Sequence, residues 1–132
     1  MGVEAAMKSR LITAIALLAV SVGAAVLCVL HLNKCADELG SALETALASA
    51  ATEAPGWEDA TDEVLRVWEE HGEFLHILLP HVNLNELEWT IGALPEYLAQ
   101  GDRPLYIEQC VRGLQCLNTV REMERPSWGN IF

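Results

Sequence analysis

A long uncharged apolar segment near the N-terminus constrains this chain more than any other feature. Residues 11–30 contain no charged residue, and apart from Thr13, Ser21 and Gly23 every side chain is apolar. A helix of this length rises about 30 Å, which is the thickness of the hydrocarbon core of a bilayer. A domain as small as this one cannot surround a helix that is apolar on every side. The segment therefore predicts a transmembrane helix over residues 11–32.

The flanking charges predict how this helix is oriented. Lys8 and Arg10 precede the apolar segment, and positive flanks are retained in the cytoplasm. We therefore expect residues 1–10 to be cytoplasmic and residues 33–126 to form a domain outside the cell membrane. Residues 127–132 are expected to be a tail near the membrane surface.

Two alternatives to an uncleaved anchor are a cleaved signal peptide and a lipoprotein. Val22-Gly23-Ala24 resembles a signal-peptide cleavage site, but the apolar run continues past it and is longer than a signal sequence requires. A lipoprotein site at Cys28 is disfavoured because Leu27 is large.

The charge of the exported part excludes several functions. The chain carries a formal charge of −11, and residues 31–132 hold eighteen acidic against six basic residues, a net charge of about −12. Such a surface repels phosphate backbones and anionic lipid. We therefore expect no nucleic-acid partner.

Apolar spacing of three and four residues predicts an all-α fold. The first helix is expected to continue from the membrane to Ala51, and the second to cover residues 57–79. The third should begin near Asn83, with Glu86 completing a capping box, and Pro95 should kink or split it. Short loops then predict an N-terminal transmembrane helix that continues into an antiparallel up-down-up-down helical bundle.

The fourth helix is expected to begin after Asp102 as N-cap, with Pro104 in its first turn, and to end near Arg125-Pro126. The predicted core stripe of the second helix is Trp57, Ala60, Val64, Val67, His71, Phe74 and Leu78, widened by Trp68 and Leu75. That of the fourth helix is Ile107, Cys110, Val111, Leu114, Leu117 and Val120.

This topology brings two apolar segments to the membrane-proximal end of the bundle, namely residues 74–79 and the tail. In the tail, Trp128, Ile131 and Phe132 are predicted to cover the base of the bundle. Contact with lipid or with a partner remains the alternative, since tryptophan favours the lipid–water boundary.

Several short segments carry a family resemblance. They are Trp57-Glu58-x-Ala60, Trp68-Glu69-x-His71, Pro80-His81 leading into Leu84-x-Glu86-Leu87-Glu88, and the closing Asn130-Ile131-Phe132. Together with the N-terminal span they resemble a family of short, single-pass membrane-anchored proteins of unknown function from spore-forming bacteria. The chain departs from that pattern in its scarce lysine, in Pro95 and in its four cysteines. The resemblance implies a membrane-anchored helical domain and supplies no reaction.

Histidines and cysteines are the residues most suited to chemistry. His71, His76 and His81 are spaced by five, which turns neighbours about 140° apart on a helix, whereas a helical metal pair needs a spacing of three or four. We expect no metal and no cofactor. His71 is predicted to hydrogen-bond a neighbour at the core edge, and His81 to bond Glu86 or Glu88. The cysteines are expected to be buried free thiols rather than disulfides.

No catalytic motif is present, so we expect no enzyme. The leading hypothesis is a protein-interaction or accessory module at the cell surface, with membrane lipid around the span and another membrane or cell-surface protein as partner. A homodimer is a further alternative. A rival hypothesis is a small-ligand, metal or pH-sensing domain that uses His71 and His81. Candidate interaction or structural residues are Trp57, Trp68, His71, His81, Glu86, Glu88, Trp128, Ile131 and Phe132.

Overall fold

Four helices make up the fold. The computed structural model describes residues 2–53, 55–78 and 81–124, except the side chains of residues 81, 83, 123 and 124. The helices are α1 (Gly2–Ala51), α2 (Trp57–Leu78), α3 (His81–Gln100) and α4 (Arg103–Glu124). No strand occurs among the described residues. The predicted all-α fold is confirmed.

The chain divides into two compact units, Met1–Leu32 and Asn33–Phe132. In the first unit, α1 is long and apolar enough to cross a membrane, and the side chains of its apolar stretch are exposed. A signal sequence near the N-terminus meets the same criterion of length and composition. The second unit holds the rest of α1 and the three other helices.

Contacts within the second unit give the relative direction of its first and last helices. Arg121 near the end of α4 pairs with Asp37, at 2.8 Å, whereas Arg103 at the start of α4 reaches the carbonyl of Ala50. These two contacts show that α4 runs opposite to α1. A Cβ added to Gly113 would lie 3.1 Å from Leu43 Cδ1 and 3.4 Å from Thr90 Cγ2, so α1, α3 and α4 approach closely at this glycine.

The core lies between the four helices. Its largest fully buried side chains are Leu39, Leu43, Val64, Leu75, Leu84, Leu87, Ile91, Leu94, Tyr106 and Cys110. In α1 the residues Cys35, Leu39, Leu43, Ala46 and Ala50 are all buried, and they follow the spacing of three and four residues from which the helix is predicted. Burial of this apolar area is the main driving force for folding.

The predicted stripe of α2 is wrong at its C-terminal end. Leu75 is buried, whereas Leu78 is 38% exposed and Phe74 is half-buried. The prediction followed heptad steps from Trp57. A straight α-helix drifts about 20° per heptad from that repeat, so after three heptads the core face has moved.

The predicted stripe of α4 also needs correction. Tyr106, Gly113 and Cys116 are buried, whereas Val111 is 38% exposed. The aromatic ring of Tyr106 lies between α4 and α2, where it contacts Trp57 and Thr61. The predicted stripe of α4 contained no aromatic residue.

The turn between α3 and α4 follows from two residues. Gly101 has a φ of 68°, and it donates to the carbonyl of Leu98 while Asp102 donates to that of Tyr97. This is the Schellman arrangement, which suits glycine because its φ is positive. The Asp102 carboxylate accepts from the Leu105 amide at 3.2 Å, which confirms Asp102 as the N-cap of α4.

Helix α3 differs from its prediction at two places. It begins at His81, so Asn83 already lies within the first turn and the predicted capping box with Glu86 is wrong. It is also continuous through Pro95, so Pro95 does not split it. Pro95 has no N–H to donate to the carbonyl one turn earlier. Buried Ile91 and Leu94 keep this part of α3 in the core despite that loss.

Candidate functional site

A groove of about 540 Å³ lies between α3 and α4. It is lined by Asn85, Glu86, Trp89, Thr90, Ala93, Tyr97, Gln109 and Arg112. The Trp89 side chain is 81% exposed, although it belongs to the middle of a helix that packs in the core. We call this set of residues the Trp89 groove.

The helical repeat explains why Trp89 points outward. The buried residues Leu87 and Ile91 stand two positions before and after it. Two residues turn an α-helix by about 200°, so the side chain of Trp89 points away from both. When Leu87 and Ile91 pack in the core, the indole of Trp89 therefore lies on the surface.

Polar groups of the groove are held by local bonds. Arg112 donates to Glu108 at 3.0 Å, one turn earlier on α4. Thr90 donates to the carbonyl of Glu86 at 2.8 Å. Tyr97 is half-buried and, of the groove residues on α3, lies nearest the C-terminus of that helix. Tryptophan, tyrosine and arginine are the residue types most enriched at the energetic centres of protein interfaces.

A second polar feature joins α1 to α2. His71 Nε2 lies 2.6 Å from Glu38 Oε2, and His71 is only 9% exposed. Because a carboxylate can only accept, the imidazole N–H donates. The hydrogen bond from His71, and then its charge and that of Lys34, lower the pKa of Glu38 despite an opposing effect of desolvation. The prediction that His71 bonds a neighbour is confirmed.

A groove of about 630 Å³ opens beside this contact. It is lined by Asp37, Glu38, Ser41, Ala42, Thr45, Ala60, Glu63, Arg66, Val67 and Glu70. Arg66 donates to both Glu63 and Glu70, and these bonds raise its pKa. The one cation of the lining is thus already engaged by acids of its own helix.

Cys35 and Cys110 are buried free thiols, as the sequence predicted. Burial, followed by the charge of nearby Glu38, raises the pKa of Cys35. Burial alone raises the pKa of Cys110 to about 12. Raised values disfavour the thiolate, which is the reactive form. Burial likewise raises the pKa of Cys116, which is also buried.

Trp57 and Trp68 serve the packing of the bundle. The Trp57 ring meets the ring of Tyr106 edge-on at 5.1 Å, and the Arg103 guanidinium lies 4.4 Å from its centroid. The Trp68 ring lies 6.3 Å from that of His76. Both indoles are half-buried, whereas Trp89 is exposed.

Other predicted site residues are only partly described. Glu86 lines the Trp89 groove, and Glu88 lies 4.0 Å from His76 Nε2. The side chain of His81 lies outside the described part of the structure, so its predicted bond to either acid stays a prediction. Trp128, Ile131 and Phe132 lie beyond the described residues as well.

Sequence reasoning did not find Trp89, Glu38 or Tyr106. The signal for Trp89 was present, because it falls off the apolar stripe that Leu84, Leu87 and Ile91 define. Glu38 gave no signal, since its partner His71 lies 33 positions away in the chain.

Comparison with known proteins identifies a family and does not identify an activity. No curated protein and no solved structure matches the chain. The model of one protein family matches residues 26–131, which is most of the chain. The chain belongs to the DUF4363 family, a domain of unknown function.

Proposed function

We propose that this protein is a membrane-anchored helical module, exported from the cytoplasm, that binds another protein through the Trp89 groove. We further propose that it has no enzymatic activity. The observation that carries the proposal is the 81% exposure of Trp89 on a helix that is otherwise fixed in the core.

The physical argument rests on the cost of exposing an indole. Removing apolar area from water is worth about 25 cal/mol per Å², and a tryptophan buries roughly 150–250 Å² when it is covered. Trp89 is held on a rigid helix, so covering it requires little ordering of the backbone. A partner that covers it gains this free energy less the cost of association.

The surroundings of Trp89 suit a protein partner. The groove offers an aromatic ring at Tyr97, amide groups at Asn85 and Gln109, and the Arg112 guanidinium, which already bonds Glu108. An apolar anchor ringed by polar groups is the usual anatomy of a protein interface. Membrane anchoring is supported by the length and apolar composition of α1.

A second candidate function is pH sensing, and the contact between Glu38 and His71 favours it. This contact joins two helices through a hydrogen bond from an imidazole, and that bond lowers the pKa of the Glu38 carboxylate. The residues predicted for that role also include His81, whose side chain lies outside the described part of the structure.

Photo-crosslinking tests the leading proposal. A photoreactive residue is placed at Asn85, an exposed position of the groove one turn before Trp89, in the full-length protein. The exposed position Ala48 on α1 is the control. Membranes are irradiated and solubilised gently, and the adducts are identified. We expect one protein to crosslink from position 85 and not from position 48.

A substitution makes the test quantitative. Trp89→Ala should abolish recovery of the same protein in a pull-down, with a loss of at least about tenfold in affinity for a central aromatic residue. The thermal midpoint should stay close to that of the wild type, because Trp89 contributes little to the core. Equal recovery by the wild type and Trp89→Ala would overturn the proposed binding site.

Anchoring is tested separately. The full-length protein should stay in the membrane pellet after alkaline carbonate, and a tag fused after Phe132 should be reachable only from outside the cell. Release by carbonate would contradict the anchor, and a tag reachable only from inside would contradict the proposed orientation.

A further inference from the structure

Three apolar side chains are exposed on either side of the α2–α3 turn. Ile77 is 81% exposed, Leu78 is 38% exposed and Val82 is 79% exposed. We call these three residues the apolar tip. Their exposure contrasts with Leu75 and Leu84, the flanking leucines of the same two helices, which are buried.

The apolar tip lies at one particular end of the bundle. Glu38 and His71 are in contact, so they mark the same level on α1 and α2. From Glu38, the first residue of the bundle, Asn33, is five residues away, or about 7.5 Å along the axis. From His71, Ile77 is six residues away in the same direction, or about 9 Å.

Ile77 is therefore level with Asn33, where the bundle begins. The residue that precedes Asn33 in the chain is the last one of the predicted membrane span. A bundle anchored there has its first residue at the membrane surface, and the apolar tip shares the level of that residue.

We infer that Ile77, Leu78 and Val82 dock into the boundary between headgroups and acyl chains of the membrane. This inference rests on the proposed membrane anchoring, and it is independent of the Trp89 groove. Amphipathic elements that lie in the interface bury their apolar side chains about 5–10 Å into this boundary. Three aliphatic side chains suffice because α1 already holds the domain beside the lipid.

Charge favours neutral lipid over a second copy of the chain and over anionic lipid. The second unit carries far more acidic than basic residues, so two copies repel each other when they approach. Glu73 and Glu88 lie within two turns of the tip and are exposed, which disfavours anionic headgroups. The tip itself carries no charge, and a zwitterionic surface matches it.

Depth-dependent quenching tests the inference in the full-length protein. Cys28→Ala removes the exposed native thiol, and the other three cysteines are buried. In this background Ile77→Cys, Val82→Cys and Ala48→Cys are each labelled with an environment-sensitive fluorophore. Ala48 is exposed and lies about 22 Å along α1 from Asn33, so it serves as the matched control.

The labelled proteins are reconstituted in phosphatidylcholine vesicles that contain lipids with a nitroxide quencher in the acyl chain. We expect quenching at positions 77 and 82 to exceed that at position 48 by roughly threefold or more, given an insertion of several ångströms. Two positions are labelled so that a local effect of one substitution cannot by itself explain the quenching.

The outcomes separate this inference from the proposed function. Protein that floats with the vesicles but is quenched equally at all three positions overturns the lipid contact alone. Protein that does not float overturns both the membrane anchor and the lipid contact. Strong quenching at positions 77 and 82 that is lost when the vesicles lack the quencher lipid supports the inference.

Discussion

Glu38 and His71 hold α1 against α2, with Glu38 Oε2 2.6 Å from His71 Nε2. The carboxylate is 39% exposed, whereas the imidazole side chain is 11% exposed. The contact therefore lies at the edge of the core, where water reaches the acid but hardly reaches the histidine.

Acid should weaken this contact. The pKa of Glu38 is lowered from its ordinary value of 4.5, chiefly by the hydrogen bond from His71. An acid whose pKa is lower in the folded state stabilises the protein above its unfolded pKa, and this contribution is lost as the pH falls through the folded pKa. We expect wild type to exceed Glu38→Gln in free energy of unfolding at about pH 5, and the gap to close towards about pH 3.

Urea unfolding at several pH values measures this gap. Glu44→Gln is the matched control, because Glu44 is an exposed acid on the same helix and makes no ion pair with a described residue. A gap for Glu38→Gln that does not depend on pH would contradict the assigned role of the carboxylate charge.

Substitution by alanine should have opposite effects on stability at two helical glycines, Gly92 and Gly113. A Cβ at Gly113 would lie 3.1 Å from Leu43 Cδ1, and Leu43 is fully buried, whereas Gly92 has nothing within 4 Å. Gly92→Ala should stabilise by about 0.5–1 kcal/mol through helix propensity. Gly113→Ala should destabilise by about 1 kcal/mol, because overpacking outweighs that gain. Denaturant midpoints compare the two, and equal stabilisation would mean that Leu43 moves aside.

The hydroxyl of Tyr106 should contribute measurably to stability. Thr61 donates to the carbonyl of Trp57 at 2.6 Å, so its oxygen accepts the hydroxyl hydrogen of Tyr106 at 2.5 Å. Tyr106→Phe removes a buried donor and should cost about 1 kcal/mol. Tyr97→Phe is the control, because the Tyr97 hydroxyl makes no hydrogen bond to a described residue. A loss no larger than that of the control would show that the hydrogen bond contributes no net stability.

Cys110 should resist alkylation in the folded protein. It is fully buried and its pKa is raised to about 12, so very little thiolate forms near neutral pH and reagent cannot reach it. Iodoacetamide labelling followed by mass spectrometry should modify Cys110 only in denaturant, whereas Ala48→Cys should be modified in the native protein. Equal rates for the two positions would contradict the burial of Cys110.

Much of the fold follows from the sequence because helix periodicity is a local property. The number of helices, the buried face of α1 from Leu32 onward and the Asp102 cap depend on residues within one or two turns of each other. The end of the α2 stripe failed for a reason that is also local, since a heptad repeat was extended along a straight helix past His71 to Leu78.

The remaining features depend on residues far apart in the chain. Tyr106 is buried because Thr61 and Trp57, 45 and 49 positions earlier, provide its hydrogen bond and ring contact. Glu38 is one of many acids, and only the packing of α1 on α2 selects it for His71. The apolar stripe of α3 already excludes Trp89 from the core, but helix periodicity does not show what an exposed indole contacts.

Arg103 has a consequence for how the chain is assembled. It donates to the carbonyl of Ala50 at the end of α1 and lies over the ring of Trp57 at the start of α2. The last turn of α1 contains no basic residue of its own, so the cation that suits the negative end of this helix comes from α4. During synthesis the first two helices therefore emerge before Arg103 can contact them. The bundle closes only after α4 has followed.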